Sequence, residues 1–141
     1  MGQQQLLLVI LVTILVGIAT LVAFNVFGTA AEEANRDAVR QDILAAAAQT
    51  QAIWTRPQMM DGAGGDFVAA GMTAADILPR LNIPGEVTAE GVENDNGVYS
   101  ITNVAAASIT IRGIPNSTPD DPLDAVVTRD PETGQWGITW N

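Results

Sequence analysis

LLLVILVTILVGIATLVAFNVF, residues 6–27, contains no charged side chain, and sixteen of its 22 positions are Leu, Ile, Val or Phe. Wound as a helix at 1.5 Å per residue it rises about 33 Å, enough to cross the hydrocarbon of a bilayer. Insertion scales give it a preference for lipid of roughly −5 to −10 kcal/mol, partly offset by Asn25 and the threonines. Such a segment requires burial in lipid or against other apolar surface.

No break follows it. Gly28-Thr29-Ala30-Ala31 leads directly into EEANRDAVRQDILAAAAQTQAIW (residues 32–54), and the first proline is Pro57. The absence of a breaker predicts one helix from about Gln3 to Trp54, about 78 Å long. In its second half Val39, Ile43, Ala46, Thr50 and Ile53 recur at three- and four-residue spacing, while Glu32, Glu33, Arg36, Asp37 and Arg40 occupy other faces. That half reads as amphipathic and as the support of a head. Within it, Ala45 to Ala48 combine high helix propensity with small side chains, which suits either close packing or plain helix filler.

The charges are as unevenly distributed as the apolar residues. None precedes Glu32, and the 141-residue chain carries 16 acids, 6 arginines, no lysine and a net charge of −10. Nucleic-acid partners require clustered cations, so none is expected. With no cysteine and no histidine, disulfides, thiolate nucleophiles, most catalytic dyads and most transition-metal sites are excluded. The carboxylates have little around them to tune a general acid or base, and no enzyme activity and no cofactor are expected.

Other readings of the apolar segment were weighed on the same residues. A cleaved secretory signal fits poorly, because there is no basic n-region and the run is too long. Met1-Gly2 suggests myristoylation, but Leu6 stands where that motif wants Ser or Thr. A plain single-span anchor satisfies hydropathy equally well, and with no Lys or Arg in the first 35 residues the flanking charges do not orient it.

After Pro57 the signals change to loop, with MMDGAGGDF at 59–67, and Thr73 then caps a short helix AADILPRL that Pro79 ends or bends. Beyond Pro84-Gly85 the period becomes two. EVTAEGV, VYSITNV, SITIRGI, DAVVTR and WGITW read as four or five strands, with turns at Asn94–Gly97 and Asp130–Gly134. The expected class is α+β, a long N-terminal helix with a small antiparallel sheet head. Its segments are 1–28 (apolar helix), 29–56 (amphipathic helix), 57–84 (loop and short helix) and 85–141 (sheet). Trp136, Ile138 and Trp140 share one strand face, expected to pack with Ile109 and Ile111 on Val39, Ile43 and Ile53; a stacking platform for a ligand ring is the sharper alternative.

Two surface features invite functional readings. Asp120, Asp121 and Asp124 share a loop where a hard cation such as calcium could recruit them, although the spacing departs from the EF-hand and a solvated acidic loop explains them as well. Asn116-Ser117-Thr118 forms an N-glycosylation sequon, followed directly by Pro119.

A short polar start, an apolar helix continuing as an amphipathic one, and a β-rich head together resemble the type IV pilins and their pseudopilin relatives. The opening Gly2-Gln3-Gln4-Gln5-Leu6-Leu7-Leu8 is similar to a bacterial group of pilin-like proteins with a GQQQLLL start. Further matching stretches are Trp54-Thr55-Arg56-Pro57, Ala63-Gly64-Gly65, Asn96–Ile101 and Ser108–Ile111. The resemblance implies a subunit that polymerises with copies of itself, held in the inner membrane before an assembly machinery draws it into a surface filament. It implies a filament core built from Gln3, Gln4, Gln5, Leu6, Leu7, Ile10, Ile14, Gly17, Leu21, Phe24 and Phe27. A minor pseudopilin of a secretion system, or an anchored binding protein that never polymerises, are the alternatives. Motility and adhesion are among the roles of such fibres, and with seven aromatic residues in the chain electron conduction is not indicated.

The chain departs from the pilin pattern at one point. Family members carry an acid at mature position five; here that place falls to Gln5 if Met1 leads, or to Leu7 if cleavage follows Gly2. Gln3 to Gln5 are then left either to exchange amide hydrogen bonds between subunits or to solvate the helix end. Gly17 marks where pilin helices often unwind, or a packing notch.

Overall fold

The computed structural model describes residues 2–141, so Met1, on which the choice of mature first residue turns, lies outside the described residues. A single helix, α1, spans Gly2–Thr55. Three threonines on it hide their hydroxyls against the helix itself. Thr13, Thr20 and Thr29 donate to the carbonyls of Val9, Val16 and Asn25 at 2.8, 2.8 and 3.0 Å, which satisfies them without water. The chain divides into two compact units between Ala34 and Asn35. The first is helix alone and has no core of its own.

In the second unit the buried face of α1 consists of Val39, Ile43, Ala46, Ala47, Thr50 and Ile53. Thr50 is tolerated there because its hydroxyl donates to the Ala46 carbonyl at 3.0 Å. The helix ends at Thr55, ahead of Pro57, and the glycine-rich loop closes it. Ala63, Gly64 and Gly65 donate backbone N–H groups to the carbonyls of Ile53, Arg56 and Trp54 at 2.9, 2.8 and 2.8 Å. These fill acceptors that a terminating helix leaves open. The loop reaches them by passing through positive φ at Gly64 and Gly65.

A 3-10 turn (Gln58–Met60) and a short helix α2 (Ala74–Ile77) follow. Asp76 accepts from the N–H and hydroxyl of Thr73 at 2.9 and 2.6 Å, fixing the start of α2. Pro79 does not stop the chain. The helix tightens into a 3-10 turn (Leu78–Leu81) that ends at Asn82 in the left-handed region.

The sheet has six antiparallel strands in chain order: β1 (Glu86–Val87), β2 (Val92–Glu93), β3 (Gly97–Ala105), β4 (Ser108–Pro115), β5 (Leu123–Arg129) and β6 (Trp136–Trp140). One strand more than expected arises because EVTAEGV is a hairpin. Thr88 N–H donates to the Gly91 carbonyl at 2.7 Å, and Gly91, at φ 148°, crosses so near β3 that a Cβ would stand 2.0 Å from the Tyr99 carbonyl oxygen. The helix packs tightly on the sheet at Gly113 of β4, where a Cβ would lie 2.6 Å from Val39 Cγ1 and 2.9 Å from Ile43 Cδ1. In the core Tyr99, Phe67, Ile77, Leu81, Ile109, Ile111 and Val127 are fully buried.

The expected face of β6 needs correction. Trp136 and Ile138 are partly buried against the core, whereas Trp140 is 39% exposed. The strand is the sheet's last, and its final residue has only Ala125 of β5 beside it. The second indole against Trp136 is instead Trp54 of α1, edge to face with ring centroids 5.6 Å apart. Arg129 covers the Trp54 ring at 4.8 Å, adding a cation–π contact.

Candidate functional site

Among the described residues, the first unit presents an exposed apolar surface. All sixteen large apolar side chains between Leu6 and Phe27 are exposed, from 47% at Ile10 and Val12 to 73% at Phe27. Leu6, Leu7, Ile14, Leu21 and Phe24 lie within that range. Gln3, Gln4 and Gln5 are exposed on the first turns, and open space surrounds Gly17. A helix ordinarily hides one stripe; this one is apolar on every side, the pattern of a segment whose surroundings are lipid or other helices. It is long and apolar enough to cross a membrane.

In the second unit the most concentrated polar feature is a node at Asp42. Its Oδ2 accepts from Tyr99 hydroxyl at 2.6 Å, Asn96 Nδ2 at 3.0 Å and Asn94 Nδ2 at 3.2 Å. One carboxylate oxygen thus ties α1 to both the β2–β3 turn and the interior of β3. Burial, and then the bond to Asp42, push the Tyr99 phenol well above its ordinary value. Asn35, seven residues earlier, extends the link. Its amide donates to the Asn96 carbonyl at 2.9 Å and its Oδ1 accepts from the N–H and hydroxyl of Ser117 at 3.1 and 2.8 Å.

The acidic loop does not gather into a cation site. Asp124 makes a two-pronged pair with Arg112, its cross-strand neighbour, at 2.7 and 2.6 Å, and Asp121 pairs with Arg36. The Arg112 hydrogen bond holds the Asp124 carboxyl below the usual range. Among the described residues no three Asp or Glu side chains converge as metal ligands. Asn116 of the sequon is exposed, but its amide nitrogen already donates to the Asp95 and Asn94 carbonyls at 3.0 and 3.4 Å. A sugar attached there would displace a turn contact.

Three depressions lie on the second unit: one is lined by Leu78, Pro79, Val87 and Ile101 with Thr88, Glu90 and Ser100 among them, a second holds Asp61, Asp76 and Arg80, with Arg80 bonded to the Asp61 carbonyl and carboxylate at 2.6 and 3.1 Å, and a third lies against Glu86, Glu93 and Asn94. Comparison of the chain with protein-family models, with curated proteins and with solved structures gave no match.

Sequence reasoning singled out the apolar run directly. It missed the Asp42 node, because Asp42 is one of several charges on the amphipathic half and no local pattern sets it apart. Its signal was the Asn94-Asp95-Asn96-Gly97 turn, whose paired asparagines exceed what a tight turn requires. It also missed Trp54 as the aromatic partner of Trp136.

Proposed function

We propose that this chain is a structural subunit that self-assembles into an extracellular filament of the type IV pilus kind, held by its apolar helix in the inner membrane before assembly. The observation that carries the reading is the exposed apolar surface of residues 6–27, on a helix that continues without a break into the head's own core. Leaving lipid would expose that surface to water unless other copies cover it, so extraction and side-to-side packing have to be coupled. Copies bundle through Leu6, Leu7, Ile10, Ile14, Leu21, Phe24 and Phe27, and the acidic heads face outward. Relative to water, burial of these side chains is worth about 1.5–3 kcal/mol each; side-to-side packing preserves in the fibre the burial that lipid gave them, so it offsets the cost of extraction instead of adding a new gain. Gln3 to Gln5 supply amide hydrogen bonds at the first turns. Assembly machinery is the partner this role requires.

Mass spectrometry of surface material detached by shearing tests the proposal and reads the mature N-terminus at the same time. The expected result is this polypeptide as the main component of a fibrous fraction. Its confinement to the membrane fraction would favour a single-span anchored protein instead.

A further inference from the structure

The two edges of the sheet differ in how they are closed to further pairing. β1 is two residues long, follows Pro84 and sets Glu86 directly opposite Glu93, devices that discourage strand addition. β6, at the other edge, has five residues, Trp136-Gly137-Ile138-Thr139-Trp140, with no charge, no proline and no bulge. In a chain of net charge −10 it is the sheet edge on which two copies meet without acid facing acid.

The hydrogen-bonding parity of β6 is fixed by its flanks. Asp130 N–H donates to the Gln135 carbonyl at 2.8 Å and Asn141 N–H to the Asp124 carbonyl at 2.9 Å. In an antiparallel ladder the direction alternates along the strand. Odd-numbered residues therefore turn their N–H and C=O towards β5, and Trp136, Ile138 and Trp140 turn theirs to the free edge.

We infer that two copies of this chain associate edge to edge through β6, antiparallel about a two-fold axis at Ile138. The strand reads nearly the same in both directions. Reversal about Ile138 sets Trp136 against Trp140 of the second copy, Ile138 against itself, and Gly137 against Thr139. The residues with outward backbone groups then face one another, so all six groups find partners. Aromatic cross-strand pairs add to the ladder. Five paired residues bury less than the ~1,000 Å² of a stable dimer. The contact is accordingly weak between free chains and effective where copies are concentrated, in one membrane or along adjoining fibres. It does not depend on the filament reading, since an anchored monomer presents the same edge.

Cysteine cross-linking of the full chain in detergent tests it, on a background with no native cysteine. Cα atoms of a hydrogen-bonded antiparallel pair stand about 5.5 Å apart, within disulfide range. Ile138→Cys should give a covalent dimer on oxidation. Thr139→Cys alone should give at least tenfold less, and an equimolar mixture of Gly137→Cys and Thr139→Cys chains should restore it while keeping Ile138. Equal cross-linking by Thr139→Cys alone would show that the apolar helices, not β6, bring the chains together and would overturn the inference. So would the absence of dimer from both Ile138→Cys and the mixture.

Discussion

Asp42 is the residue on which the attachment of helix to sheet in the head most depends for polar contacts. Asp42→Ala leaves the Tyr99 hydroxyl and the Asn96 amide without their acceptor, while Asn94 keeps its bond to the Pro84 carbonyl at 2.9 Å, and buried donors without partners cost about 1–3 kcal/mol. Tyr99→Phe removes one donor and should cost less, and a double-mutant cycle should show the two effects to be coupled. Tryptophan fluorescence during denaturation is a clean readout, because Trp54, Trp136 and Trp140 all lie in the second unit. Gly113→Ala tests packing at the same place. Its methyl would press on Val39 and Ile43, an overpacking cost of about 1–3 kcal/mol. The pH dependence has two limbs. Tyr99 is raised in the fold, so its contribution is full below about pH 10, its ordinary value, and declines as pH rises above it. Asp124 is lowered, so its contribution is present above about pH 4 and is lost as pH falls through the folded value. Unfolding midpoints measured across pH should show both losses, and Arg112→Ala should diminish the acid limb without abolishing it, because hydrogen bonds from Thr73 and from Glu132 and Thr133 also hold Asp76 and Asp130 below the usual range. The partnerships of Asp42, Gly113 and Asp124 were not legible from the sequence. Each joins positions far apart in the chain, and a local pattern of charge or period carries no record of its distant partner.

Among the elements, α1 was the most legible, because a long apolar run with no breaker and a three-to-four-residue stripe are both local signals. Its observed bounds, Gly2–Thr55, lie one residue outside the expected Gln3–Trp54 at each end. The sheet was legible in class but not in count, since the hairpin at Thr88–Gly91 is set by Gly91 passing the Tyr99 carbonyl, a tertiary constraint. The face of β6 was mistaken at Trp140 because alternation shows which side a residue takes, not whether the strand lies at an edge. The helix also supports a prediction at its own scale. Leu15→Arg places a cation midway in the apolar run, at a cost of about 2.5–3.5 kcal/mol to membrane insertion. Fractionation should show little loss for Leu15→Arg alone and a clearly lower membrane-bound share when Val12→Arg and Ile18→Arg are added, about 7.5–10.5 kcal/mol in all against the roughly −5 to −10 kcal/mol of the native run, whereas equal partition of the triple variant would mean that the segment is not lipid-embedded.

For the whole molecule, the two units have opposite requirements. Residues before Glu32 carry no charge and need an apolar environment, and the remainder, with every charge in the chain, closes its own core. A polymer with helices inside and heads outside satisfies both at once, and a membrane satisfies both before assembly. On the filament reading proposed above, Gln3 to Gln5 stand where an early acid would, and assembly would rest on apolar packing more than on charge pairing. The most direct measurement is helical reconstruction by cryo-electron microscopy of filaments sheared from cells that make this chain. The account predicts a fibre whose central density consists of packed helices traced by Leu6 to Phe27, with the six-stranded heads on its outer surface. Filaments that lack this polypeptide, while it stays in the membrane as separate chains, would contradict it.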